Sequence, residues 1–260
     1  MWRGPDLSCS LDRQLRRRAL APDGRAMFTV LHYDTIGSTN DEARRLAGQG
    51  AEHGTVVHAD QQSTGRGRMA RPWFSPPGNL YMSVLLRLDL PPHRLSELSF
   101  LAAVAVAETV AQLLPSRVGI TLKWPNDVLV DGGKISGILL ETFDDATVLG
   151  IGLNVLLAPA TAGYKTATIA ERGGIATVDG ARDLLLGELE RLLAQWLAQG
   201  FEPIRTAWMA RAYPIGTPLR VNVGHQPLTG GFAGLDQDGA LLLDTEEGRR
   251  RVVVGDVTPG

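Results

Sequence analysis

Four β-rich runs set end to end between Ile120 and Leu157 restrict this chain more than any other feature. "ITLKW", "DVLVD", "KISGILLETF" and "ATVLGIGLNVLL" are separated only by "PN", "GG" and "DD". Joints of two residues suit hairpins, so these runs predict an antiparallel meander. Upstream, "MFTVLHYD", "TVVHAD" and "NLYMSVLLRL" read as three more strands, with "STNDEARRLAG" as a helix between the first two. Thr39 with Glu42 three residues on fits a capping box, and Gly48 fits a helix stop. Residues 94–114 form a long apolar helix interrupted by Glu108 and Gln112, which reads as a buried core helix and not as a membrane span. Further helices are expected at 180–199 and 203–212. In the first, Leu184, Leu185, Leu189, Leu192, Leu193 and Trp196 fall at helical spacing.

At "YPIGTPL", residues 213–219, proline and glycine punctuate the chain. "LRVNV", "LTGGFAGLD", "GALLLDT" and "RRRVVVGDV" follow at turn spacing, the pattern of a small β-barrel. The expected architecture is α+β: a polar, arginine-rich arm at 1–26, a main domain at 27–212 with a mixed, largely antiparallel sheet and helices, and a barrel at 213–260.

Composition narrows the function classes. A formal net charge of −2 argues against broad nucleic-acid binding, which draws on basic surface. Cys9 is the only cysteine, so no internal disulfide forms and a reducing cytoplasm fits best. The first twenty residues are rich in charge and lack an apolar core, so no secretory signal is expected. A sharper fact is the cation usage: 23 arginines against three lysines, Lys123, Lys134 and Lys165. Lysine is a compact point charge and arginine a planar fork, so they are not interchangeable at a precise site. Two of the three lysines lie in "LKWPNDVLVDGGKISGILLE".

Several short motifs carry candidate chemistry, and each has a plainer alternative. "DQQSTGRGRMARPWFSP", residues 60–76, sets Arg66, Arg68 and Arg71 on a glycine-loosened segment ahead of Trp73. Such a loop either cradles an anion or is an exposed loop with solvated charge. Trp73 is either a ligand wall or core. In "KWPND", Lys123 is a candidate anion contact and Asp127 a candidate Mg²⁺ ligand; turn chemistry alone would also explain the motif. "GGKISG" departs from a P-loop because Ile135 follows the lysine and a strand follows the glycines. Lys134 there still has a strand start from which to face a phosphate, and Gly137 permits close approach. "GSTN", with Ser38, Thr39 and Asn40, caps a helix or reads a small polar ligand together with Gln62. Asn154, ending the apolar "GIGLN", needs hydrogen-bond partners. The five histidines show no metal spacing and no G-x-S-x-G is present, so zinc-enzyme and hydrolase readings lack support.

The ordered set "STN", "GRGR" with a following tryptophan, "NLY", "KWPND", "GKISGIL" and "GIGLN" resembles the biotin–protein ligases, densely over residues 28–155 and more loosely to the C-terminus. Gly37 departs from the acidic residue more usual before "STN", and Met69–Ala70 from a more Gly/Arg-like pair. The resemblance implies a class II synthetase-like catalytic domain, an SH3-like C-terminal barrel and, with so short an arm, a form without an N-terminal DNA-binding domain. It implies a cytoplasmic enzyme that uses ATP and Mg²⁺ to turn biotin into biotinyl-5′-AMP, then passes biotin to a lysine of a biotin carboxyl carrier protein. Neither nucleic acid nor membrane is an expected partner, and a homodimer through a sheet edge is.

By the same resemblance Lys134, Arg66, Arg68, Arg71 and Asp127 are catalytic. Ser38, Thr39, Asn40, Gln62, Gly65, Arg66, Lys134 and Gly137 bind biotin. Arg66, Arg68, Arg71, Trp73, Asn79, Lys123, Asn126, Lys134 and Asn154 bind ATP, and Asp127 is the metal ligand. The alternatives are a lipoate or octanoate ligase or transferase, whose "RR…GGG"-type loop is missing here, and a non-catalytic biotin-sensing regulator.

Overall fold

A computed structural model describes residues 27–143, 145–159, 163–223 and 226–259. The arm expected at 1–26, with Cys9, lies outside these residues. The main sheet has seven strands: β1 (Thr29–Ile36), β2 (Thr55–Gln62), β3 (Leu80–Leu86), β4 (Ile120–Lys123), β5 (Asp127–Val130), β6 (Gly133–Phe143) and β7 (Ala146–Leu153). Their spatial order is β1-β2-β3-β7-β6-β5-β4. The expected meander forms, since β4–β5, β5–β6 and β6–β7 all pair antiparallel. Only β1 and β2 are parallel, and α1 (Thr39–Gly48) supplies the crossover that a parallel pair requires.

The β5–β6 turn falls one residue before the expected glycine pair. Asp131 (φ 46°) and Gly132 (φ 75°) both take the left-handed region, and the Asp131 carboxylate accepts the Gly119 N–H at 3.0 Å. The capping box does not form either. Ser38 is the N-cap and makes no side-chain cap bond. Thr39 turns its hydroxyl to Gln62, while Glu42 accepts from the Tyr33 hydroxyl and Arg45. Gly48 stays helical; Gly50, at φ 83°, reverses the chain.

Helices cover both faces of the sheet. On one side Ala43 of α1 meets Val57, Leu85 and Val148. On the other lies α2 (Pro92–Leu113), packed against the sheet, α3 (Val178–Gln199) and α4 (Glu202–Met209). By length and composition α2 alone among the described residues would reach across a bilayer. Here Leu98, Leu101, Val104 and Val106 are buried in the protein core instead. In α3 the apolar stripe runs through Leu185, Leu189, Leu192, Leu193 and Trp196 as expected, but Leu184 is exposed and Leu186 takes the buried place. Fully burying a side chain of this size stabilises by about 1.5–3 kcal/mol. Trp196 also donates its indole N–H to Glu97, at 2.5 Å, so no polar group is stranded.

The second sheet has five strands, not four: β8 (Pro218–Val223), β9 (Gln226–Leu235), β10 (Leu241–Thr245), β11 (Gly248–Val252) and β12 (Asp256–Pro259). The run "RRRVVVGDV" breaks after Val252, and β12 crosses to pair with β8, giving the order β11-β10-β9-β8-β12. The barrel docks through Gly239, whose carbonyl accepts the Trp124 indole N–H at 3.1 Å. A Cβ at Gly239 would stand 2.7 Å from the Phe100 ring, so no larger residue fits this contact.

Candidate active site

A cavity of about 400 Å³ opens where the start of α1, the strands β6 and β7, the Lys123–Asp127 turn and β12 meet. Residues 65–73 roof it. Gly67 N–H donates to Arg71 O at 2.8 Å and Trp73 N–H to Gly65 O at 2.9 Å, making a small hairpin. Its tip is a two-residue turn at Met69 (φ 55°) and Ala70 (φ 56°). Such turns favour Asn-Gly, because a side chain in the left-handed region costs about 1–2 kcal/mol per residue. The flap is therefore strained at the Met69–Ala70 pair.

The floor is built by omission. Gly137 and Gly152 are cross-strand partners on β6 and β7. A Cβ would lie 3.0 Å from the Trp73 ring at the first and 2.5 Å from its Nε1 at the second, so the indole lies flat where side chains are missing. Gly150 does the same for Asn40, whose Oδ1 would be 2.0 Å from a Cβ.

At one end the lining groups are neutral and polar apart from the ion-paired Arg66. Gln62 Oε1 accepts from Thr39 N at 2.8 Å and from its hydroxyl at 3.1 Å. Asn40 donates to Glu141 at 2.7 Å, and the buried Ser83 hydroxyl lies 2.8 Å from Thr39 Oγ1 and 2.6 Å from Asn40 Oδ1. Arg66 crosses this end, paired with Glu141 at 2.9 Å and Asp41 at 2.8 Å, and reaching Ser38 Oγ at 3.3 Å.

The other end is cationic. Asp127, 8 % exposed, pairs with Lys123 at 2.8 Å and Lys134 at 2.6 Å. Burial would raise its pKa, but the Lys134 and Lys123 ammoniums outweigh burial and hold the carboxyl below its ordinary range. Lys134 Nζ also lies over the rings of Trp73, at 5.3 Å, and Tyr164, at 5.7 Å. Arg68 reaches Asn126 Oδ1 at 3.4 Å, and both Arg68 and Arg71 pair with Asp256 of the barrel.

All but three of the residues singled out from sequence thus line one cavity. Asn79 is buried and receives the N–H groups of Val155, Leu156 and Leu157, fastening the chain after β7. Asn154 donates to Lys134 O and Ala167 O, so it braces the backbone behind Lys134 and does not line the cavity. Gly65 is the first residue of the flap but does not line the cavity; a Cβ there would meet Ser75 Oγ at 2.4 Å. Asp127 also departs from its expected part: with both oxygens held by ammoniums, its donor chemistry suits a lysine-orienting anion and not a metal ligand. Sequence reasoning missed Asp41, Glu141, Tyr164 and Asp256. Glu141 had a signal, since it shares the β6 face of Gly137 at even spacing. Asp256 had none, lying 185 residues from its partner Arg71.

Comparison with known proteins identifies the family. Residues 33–157 match the biotin/lipoate A/B protein ligase family, and residues 215–258 match the biotin protein ligase C-terminal domain. The chain is 36 % identical over 231 residues to the biotin–[acetyl-CoA-carboxylase] ligase of Paracoccus denitrificans, covering 85 % of this chain and 96 % of that one. It is 38 % identical to the Mycobacterium tuberculosis enzyme of the same name, covering 85 % of each. The chain belongs to the biotin protein ligase family. The ligase is also similar to the Aquifex aeolicus biotin protein ligase solved with biotin and ATP, with TM-score 0.77 and 28 % identity over 88 % of this chain and 97 % of that one. The lipoate alternative is not favoured, because the two relatives named above are biotin ligases and the C-terminal match is to a biotin ligase domain.

Proposed function

We propose that this ligase forms biotinyl-5′-AMP in the described cavity and transfers biotin to a lysine of a biotin carboxyl carrier domain. A biotin carboxylate oxygen attacks the α-phosphorus of ATP and pyrophosphate leaves. The acceptor amine then attacks the acyl carbonyl, loses a proton, and AMP leaves. Thr39, Ser38 and Gln62 offer acceptors and donors to match a ureido ring's one C=O and two N–H groups. The Trp73 indole, seated on the glycine floor, gives an apolar wall for the rest of the biotin ring system.

An anion must approach a polyanion, so the junction needs fixed positive charge. One observation carries this reading: Arg68 and Arg71 from the flap, and Lys123 and Lys134 from β4 and β6, line a single cavity whose opposite end carries neutral polar groups and the ion-paired Arg66. Lys134, held by Asp127 and by Asn154 behind it, is placed to offset charge building at the α-phosphate. The flap excludes water from a hydrolysis-prone anhydride. Mg²⁺ enters on this reading as part of the nucleotide substrate. One cysteine in 260 residues suits a reducing cytoplasm.

The test is Lys134→Ala, with biotin binding by calorimetry and pyrophosphate release measured on the same preparation. Adenylate formation falls by about two orders of magnitude or more, as when a preorganised charge contact is removed, while biotin affinity changes little. An unimpaired first step removes Lys134 from this role. Mass spectrometry of a carrier domain incubated with MgATP and either biotin or lipoate decides the acyl group.

A further inference from the structure

Arg68 and Arg71 are the first and last residues of the strained turn, and the Arg71 N–H donates to Arg68 O at 3.2 Å. One carboxylate grips both ends of that turn. Asp256, the first residue of β12, pairs with Arg68 at 3.5 Å and with Arg71. The grip is supported around it: Arg68 donates to Gly255 O at 3.3 Å, and Lys123 to Val257 O at 3.2 Å. Asp256, Val257 and Thr258 line the same cavity as the arginines. The barrel thus meets the cavity through one anion and two backbone carbonyls, each facing a cation.

Asp256 engages Nη1 of Arg68 and Nη2 of Arg71, so each fork keeps further N–H groups with which to meet phosphate oxygens. A turn with two non-glycine residues in the left-handed region does not favour this shape unaided. We infer that Asp256 is a positioning residue: it clamps the flap's arginine turn against the barrel, so that flap and barrel close together over the nucleotide end of the cavity. The inference rests on the ATP-binding reading of that end, but the clamp itself has a readout without nucleotide.

The test compares the full chain with Asp256→Asn and Asp256→Glu. Without ligand, trypsin cuts Arg68–Met69 several-fold faster in Asp256→Asn, because the turn is released. In steady-state adenylate formation, Asp256→Asn raises KM for ATP by about tenfold, with KM for biotin and kcat within about twofold, as loss of a ground-state binding contribution should. Asp256→Glu restores most of both readouts. Ala70→Gly, which relieves the turn, reduces the Asp256→Asn penalty when the two are combined. Thermal melts show whether each variant is folded, and if Asp256→Asn is not, Asp256→Ser, which also removes the carboxylate, carries the same comparison. Equal nicking rates, a lower KM for ATP, or a KM for biotin rising as much as that for ATP overturns the clamp. Should no variant or parent make adenylate, the ATP reading fails, while the nicking comparison still decides the clamp.

Discussion

Asp127→Asn isolates the electrostatic centre of the site with almost no change in shape. The carboxylate is nearly buried and holds two ammoniums at 2.8 and 2.6 Å, the lysines being 20 % and 19 % exposed. At an effective dielectric of about 20, each contact is worth about 6 kcal/mol gross. Most of that repays desolvation, so the gross figure is not the expected loss. Removing one partner of a buried pair leaves uncompensated charge and costs about 3–5 kcal/mol. Partial exposure of the lysines puts this site at the lower end, about 3 kcal/mol. For a chain of this size that lowers Tm by about 6–12 °C.

The assay is thermal unfolding of the ligand-free chain, extended to a cycle with Lys123→Met. Adding Lys123→Met to Asp127→Asn recovers part of the loss, because one of two stranded cations is gone. The pH dependence has a definite sign. A folded pKa held below the ordinary 3.8 makes the contribution complete above that value and lost as pH falls through the folded pKa. The gap between wild type and Asp127→Asn therefore stays constant from pH 8 to about 5 and closes only below about 4. An Asp127→Asn variant melting within about 1 °C of wild type, or a double variant less stable than both singles, refutes the reasoning.

Two further outcomes follow from buried contacts. His58, stacked 5.1 Å from His32, is pushed from 6.5 to about 4, first by burial and then by Arg182 and His32, with Asp60 and Asp179 opposing. The unfolded chain then takes up a proton that the folded chain refuses, so stability present above pH 6.5 falls between there and 4, by about 2 kcal/mol at pH 5. His58→Gln should lose less Tm between pH 7 and 5, and parallel melting curves would exclude this origin. Gly150→Ala forces Asn40 from its bonds to Ser83 and Glu141. KM for biotin should rise by about tenfold, with Tm lowered by the lost buried bonds; an unaltered KM would show that Asn40 is not needed there.

Local chemistry made much of this protein readable in advance. Two-residue joints define the β4–β7 meander, because a hairpin closes locally and needs no distant partner. The spacing of Leu185, Leu189 and Trp196 exposes the buried face of α3, although period alone could not choose between Leu184 and Leu186. The arginine flap, the two lysines and the glycine floor were each visible as motifs. What they do together was not, and here tertiary structure decided. Thr39 lost its capping box because Gln62 and Ser83 reach it across the fold. Asn79 and Asn154 are expected as ligand groups from the resemblance, but each is drawn behind the cavity by backbone groups that burial leaves in need of a partner. Asp127 looks like a metal ligand until two ammoniums close on it. Asp256 gives no sign at all, since a carboxylate's role depends on the cation it meets. The identity of that cation is a matter of distance in space, which a linear pattern of residues does not encode.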